Sequence, residues 1–89
     1  VEERENIRST SGEDAATESA VLQLLLALHP IPVTVEDVVR ETGADRDPGE
    51  RDALDRALRE LTGAGLIHRS GDLVLPSRAA VRFDELMER

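Results

Sequence analysis

The sequence of 89 residues contains no cysteine, so disulfides, thiolate chemistry and cysteine zinc sites are excluded together. A domain this small without such staples must rely on helix packing. Tryptophan and tyrosine are also absent, and Phe83 is the single aromatic residue, so the core must be built from Leu, Val, Ile and Ala. Lysine is missing: all eleven basic residues are Arg, a bias associated with GC-rich bacterial coding. Long apolar runs are missing too. The longest, Val21 to Leu28, is broken by Gln23 and falls short of the roughly 20 residues of a membrane helix. The first residues are acidic and polar, unlike a secretory leader. The expectation is a bacterial cytoplasmic protein with no cofactor. The chain opens with Val1 rather than Met, which leaves a longer parent protein open.

What remains is 39% hydrophobic, enough for one domain with one modest core. The net charge is −8 and unevenly placed. Residues 1–49 hold four Arg against eleven acids, giving −7, whereas residues 50–89 hold seven Arg against eight acids, giving −1.

Residues 1–14 read as an acidic tail too poor in large apolar side chains to offset its ordering entropy, and disorder is expected there. Residues 15–89 read as the folded domain. A first helix is expected from about Ala15 to Leu28, with packing beginning after Glu18. Its Val and Leu residues cover more than half the circumference, which implies a central helix touched from several sides. His29-Pro30-Ile31-Pro32 ends it. Thr34-Val35-Glu36-Asp37 resembles a capping box and starts a second helix, closed by Gly43, with Ala44 to Arg46 as a loop. Asp47-Pro48-Gly49-Glu50 starts a third helix that runs to about Thr62, with Ala53, Leu54, Ala57, Leu58 and Leu61 at helical spacing. Leu66 to Arg69 and Leu73 to Leu75 read as two short strands around Ser70-Gly71. Leu66, Leu73 and Leu75 are expected to cover the core, with Arg69 and Asp72 as a cross-strand pair. Ser77 caps a fourth helix whose apolar face is Ala79, Ala80, Phe83, Leu86 and Met87. That helix either folds back on the first or packs against a second copy.

The order helix, helix, helix, hairpin, helix resembles a bacterial winged helix-turn-helix domain of the transcription-regulator type. The residues that carry the likeness are Leu24 to Pro30, Thr34 to Val39, and Leu54 to Leu61 with the exit Gly63-Ala64-Gly65-Leu66-Ile67-His68-Arg69. The fold implied is α+β and mostly α: a three-helix core with a helix-turn-helix, a two-stranded hairpin wing and a C-terminal helix.

The resemblance implies a DNA-binding domain whose third helix lies in the major groove of double-stranded DNA while the wing meets the backbone or the minor groove. Carried over by position, the nucleic-acid-binding residues are Arg51, Arg56, Arg59, His68 and Arg69, with Thr34 offering a hydroxyl and a backbone N–H to a phosphate. The charge pattern points the other way. Asp52 and Asp55 stand four residues before Arg56 and Arg59, the favourable order for ion pairs on a solvated helix. A homodimer through the first and fourth helices, as in related regulators, would double the contacts.

The competing class is an acidic winged-helix interaction module that binds proteins and no nucleic acid. The chain resembles the chromosome-segregation type of such domains in its first helix and proline turn. Dimer or partner contacts would then fall on Leu24, Val81, Phe83 and Met87. For apolar residues at helical spacing a core role is the commoner outcome, and Val81 alone falls off the stripe. Enzymatic chemistry finds no support. His29 and His68 lack partners at metal spacing. Gly63-Ala64-Gly65 follows a helix and precedes a strand, the reverse of a phosphate-binding loop.

Overall fold

The computed structural model describes residues 2–88, with side chains described from Gly12 to Glu88. Its elements are α1 (Glu2–Leu28), β1 (Val33–Thr34), α2 (Val35–Thr42), a 3-10 turn (Ala44–Arg46), α3 (Pro48–Gly63), β2 (Ile67–Ser70), β3 (Leu73–Pro76) and α4 (Arg78–Met87). The architecture is α+β and mostly helical, with one antiparallel sheet of order β1-β3-β2.

α1 begins earlier than the expected start near Ala15. Of the expected tail, residues 1–11 lie outside the described side chains, and Gly12, Glu13 and Asp14 are helical. Local bonds and packing replace the missing apolar stripe there. Thr17 Oγ1 donates to the Glu13 carbonyl at 3.0 Å, and Asp14 lies 3.3 Å from the Arg56 guanidinium of α3. Packing therefore starts before Glu18, which is itself half-buried against α3. Further along, Val21 and Leu25 are fully buried and Leu22, Leu24 and Leu28 pack around them. α1 lies mainly on α3 and also touches β3, α2 and α4, the central position its broad apolar surface called for.

The second and third helices start as their caps dictate. Thr34 Oγ1 accepts from the Asp37 N–H at 3.1 Å, and the Asp37 carboxylate accepts from the Thr34 N–H at 3.0 Å. Gly43 ends α2 at φ 76°, a left-handed conformation that costs a side-chain-bearing residue energy. The expected loop over Ala44 to Arg46 is a 3-10 turn that buries Ala44. The Asp47 side chain accepts from the Gly49 N–H at 2.9 Å, with Pro48 in the first turn of α3. α3 buries Leu54, Ala57, Leu58 and Leu61.

The sheet departs from the expected two-stranded hairpin. Val33 and Thr34 form a third strand, pairing with Val74 and Leu73. Two residues after a proline turn are too short to read as a strand, and only β3 supplies their partners. The turn is also displaced by one residue. Ser70 stands opposite Leu73, so the turn residues are Gly71 and Asp72, with Gly71 at φ 60°. Glycine leading a two-residue turn meets the twist of the strands. Arg69 therefore faces Val74 instead of pairing with Asp72. Because strand side chains alternate, the inward set is Ile67 and Val74; Leu73 is exposed and Leu75 half-buried.

Ser77 caps α4 by accepting from the Ala80 N–H at 3.1 Å. The expected apolar face of α4 is only partly covered. Ala80 is buried, whereas Phe83, Leu86 and Met87 are exposed. Val81, expected off the stripe, is half-buried on the other flank beside His29 and Pro76. No described helix is long and apolar enough to cross a membrane.

Candidate nucleic-acid interface

The Leu54–Leu61 face of α3 turns into the core, so its opposite face carries Asp52, Asp55, Arg56 and Arg59 in solvent. β2 carries His68 and Arg69, both exposed. One backbone bond joins the hairpin to the neighbouring helix: the Val35 N–H donates to the Asp72 carbonyl at 2.9 Å. Together with the β1–β3 pairing, this holds the hairpin turn at the start of α2. Thr34, Arg51 and Arg69, from three separate elements, consequently line one depression of about 540 Å³, together with Val35, Glu36 and Asp72.

The candidate residues fall into two groups. Arg51 belongs to the depression and lies between two carboxylates, 3.6 Å from Glu36 and 3.6 Å from Asp55. Arg56 and Arg59 lie instead on the flank toward α1, in a cleft of about 470 Å³ shared with Asp14, Glu18 and Glu60. The ion pairs expected within α3 are replaced: Arg56 goes to Asp14 of α1, and Asp55 goes to Arg51. Helix spacing alone favoured the i,i+4 acid-before-base partners; the packing of α1 brings Asp14 to Arg56 and that of α2 brings Glu36 to Arg51, while Asp55 pairs backward along α3 with Arg51, also four residues away. Arg59 and Arg69 have no ion pair among the described residues, which leaves them the readiest to meet a phosphate.

Thr34 is less available than its position suggested. Its N–H is taken by the Asp37 carboxylate, so only the hydroxyl proton remains to donate. Asp37 also pairs with Arg40. Its carboxyl is held below the ordinary aspartate range, chiefly by the Thr34 backbone N–H, then by the Thr34 hydroxyl and by the Arg40 charge.

Leu24, a candidate contact residue, is half-buried against the core. Phe83 and Met87 are exposed and border a groove that the sequence alone did not reveal, formed with Leu22, Leu26, Leu66 and Ala80. Its advance signals were the excess breadth of the apolar surface on the first helix and the apolar face of the fourth, which carries Phe83 and Met87. Among the described residues no group of three His, Asp or Glu side chains is placed to hold a metal ion. No protein-family model, curated protein or solved structure matches the chain.

Proposed function

We propose that this chain is a winged-helix DNA-binding domain of a bacterial transcription regulator, with α2 and α3 as the helix-turn-helix and the β2–β3 hairpin as the wing. The observation that carries the reading is the gathering of Thr34, Arg51 and Arg69 from three elements at one depression between α2, α3 and the hairpin. Arg59 is open to solvent further along α3, on the flank toward α1. In this reading Arg59 and Arg69 meet phosphates or base edges first, and Arg51 exchanges a carboxylate for a phosphate.

The surface is not a positive patch, since Glu36, Asp52, Asp55 and Asp72 stand among its cations. Phosphate neutralisation supplies most of non-specific affinity. A single domain with so few unpaired arginines therefore binds weakly and loses binding steeply as salt rises. Fluorescence anisotropy on mixed-sequence duplex DNA at low salt tests this. The expected result is salt-sensitive binding that weakens in both Arg59→Ala and Arg69→Ala, with a shallower salt dependence in each. Unchanged anisotropy at the highest protein concentration, with the fold intact by circular dichroism, would overturn it.

One observation favours a second reading, the interaction module without nucleic acid: the chain's single aromatic residue, Phe83, is 64% exposed on α4. The same titration separates the two readings, because that module binds no DNA at any salt concentration.

A further inference from the structure

The core face of α3 fixes which of its charges point furthest outward. Leu54, Ala57, Leu58 and Leu61 are buried on one side. At about 3.6 residues per turn, the ridge directly opposite them runs through Asp52 and Arg59, with Asp55 on one flank and Arg56 on the other. All four are exposed. The flanking pair is engaged: Asp55 lies 3.6 Å from Arg51, and Arg56 lies 3.3 Å from Asp14. Asp52 and Arg59 take part in no ion pair among the described residues. The ridge therefore presents one open carboxylate and one open guanidinium, two turns and about 10.5 Å apart along the axis.

A carboxylate at the centre of a face that meets DNA is repelled by every phosphate, and Asp52 serves no cation of the described chain that would offset this. What it can do in the major groove is accept a hydrogen bond, and only cytosine N4 and adenine N6 donate there. These two donors are not equivalent. The free N–H of cytosine N4 has C5–H beside it, which carries no lone pair. The free N–H of adenine N6 has the N7 lone pair beside it, which repels the second carboxylate oxygen. Arg59 faces a parallel choice. Its planar fork is satisfied by two adjacent acceptors, and guanine O6 with N7 is the base edge that supplies them.

We propose, resting on the DNA-binding reading, that the outer ridge of α3 selects G·C over A·T base pairs. Asp52 accepts from cytosine N4, and Arg59 donates to guanine O6 and N7 at a separate base pair of the same groove. An A·T site sets Asp52 against an acceptor and gives Arg59 one bond in place of two. Arg51 and Arg69, at the depression beside the hairpin, serve phosphates whatever the sequence. Asp52 is then a specificity-determining residue: its charge lowers affinity for all DNA, and its hydrogen bond restores affinity at cytosine alone.

Anisotropy titration of the full chain at low salt against three duplexes of equal length tests it. One holds only G·C pairs, one only I·C pairs and one only A·T pairs, each in mixed order. Inosine keeps O6, N7 and the paired cytosine amino group but lacks the guanine N2 amino group, so I·C combines the major-groove edge of G·C with a minor groove like that of A·T. The expected result is that G·C and I·C duplexes bind alike, each roughly tenfold tighter than A·T. Arg59→Ala weakens binding to all three, and to the first two most. Asp52→Ala tightens A·T binding by removing repulsion and leaves G·C and I·C binding no tighter, so the preference shrinks. Both side chains are exposed, and circular dichroism confirms that each variant keeps its fold. Equal affinity for all three duplexes, I·C bound like A·T, or an equal gain on every duplex in Asp52→Ala overturns the inference and leaves the DNA-binding reading standing. No binding to any duplex overturns both.

Discussion

Arg56 meets a carboxylate that precedes it by 42 positions, and the local rule of acid before base at helical spacing is overridden by packing. Asp14 and Glu18 of α1 stand beside Arg56 and Arg59, the side chains that the DNA reading assigns to the duplex. They compete with phosphate for the same guanidinium groups. Replacing both acids with neutral isosteres, D14N/E18Q, is expected to tighten duplex binding by roughly twofold to fivefold at low salt, the size of an exposed ion pair. Anisotropy titration reads it, and the gain should vanish when Arg56 and Arg59 are also changed to Ala. If the double variant binds no better, these acids do not compete with DNA. Thr34 shows the same override in a smaller space. A residue suited to phosphate contact is already committed, through its N–H, to starting α2.

At the scale of elements, the caps were legible and the covering of each face was not. Ser and Thr caps, the proline at the start of α3 and the glycine after α2 act within a few residues of themselves, so their spacing in the chain suffices. Removing the Thr34 hydroxyl by Thr34→Ala is expected to cost about 0.5–2 kcal/mol of stability, read by urea denaturation. The same box carries a pH dependence. The folded state holds Asp37 ionised below its ordinary pKa, so its stabilisation is complete above the unfolded aspartate value of about 3.9 and is lost as pH falls through the depressed folded value. The urea midpoint should fall in that acid range, and the fall should be smaller in Asp37→Asn. An equal fall in the variant assigns the acid sensitivity to other carboxylates. The hairpin was legible as a hairpin, but its turn came out one residue late. Ser-Gly and Gly-Asp both read as turn pairs, and both leave Ile67 and Val74 on one face, so the hydrophobic pattern does not choose between them; the observed pairing sets Ser70 opposite Leu73.

For the whole molecule, one apolar interior joins α1, α2, α3 and the sheet, and Leu58 lies fully buried within it. Leu58→Ala is expected to cost about 2–5 kcal/mol, a large share of the stability of so small a domain. Thermal or urea unfolding checks it, and a loss below 1 kcal/mol would place Leu58 outside the stabilising core.

Two properties were settled by the sequence alone: that four helices follow one another from about Ala15 onward, because periodicity and capping are local, though not where the first of them begins, and that the interior is aliphatic, because the chain offers little else. Three others were decided only by tertiary structure: the third strand, the partners of Arg51 and Arg56, and the exposure of Phe83 and Met87. Each depends on which distant segment arrives beside a given side chain. Spacing along one helix tells which residues share a face, whereas only the assembled chain decides whether another element is there to cover it.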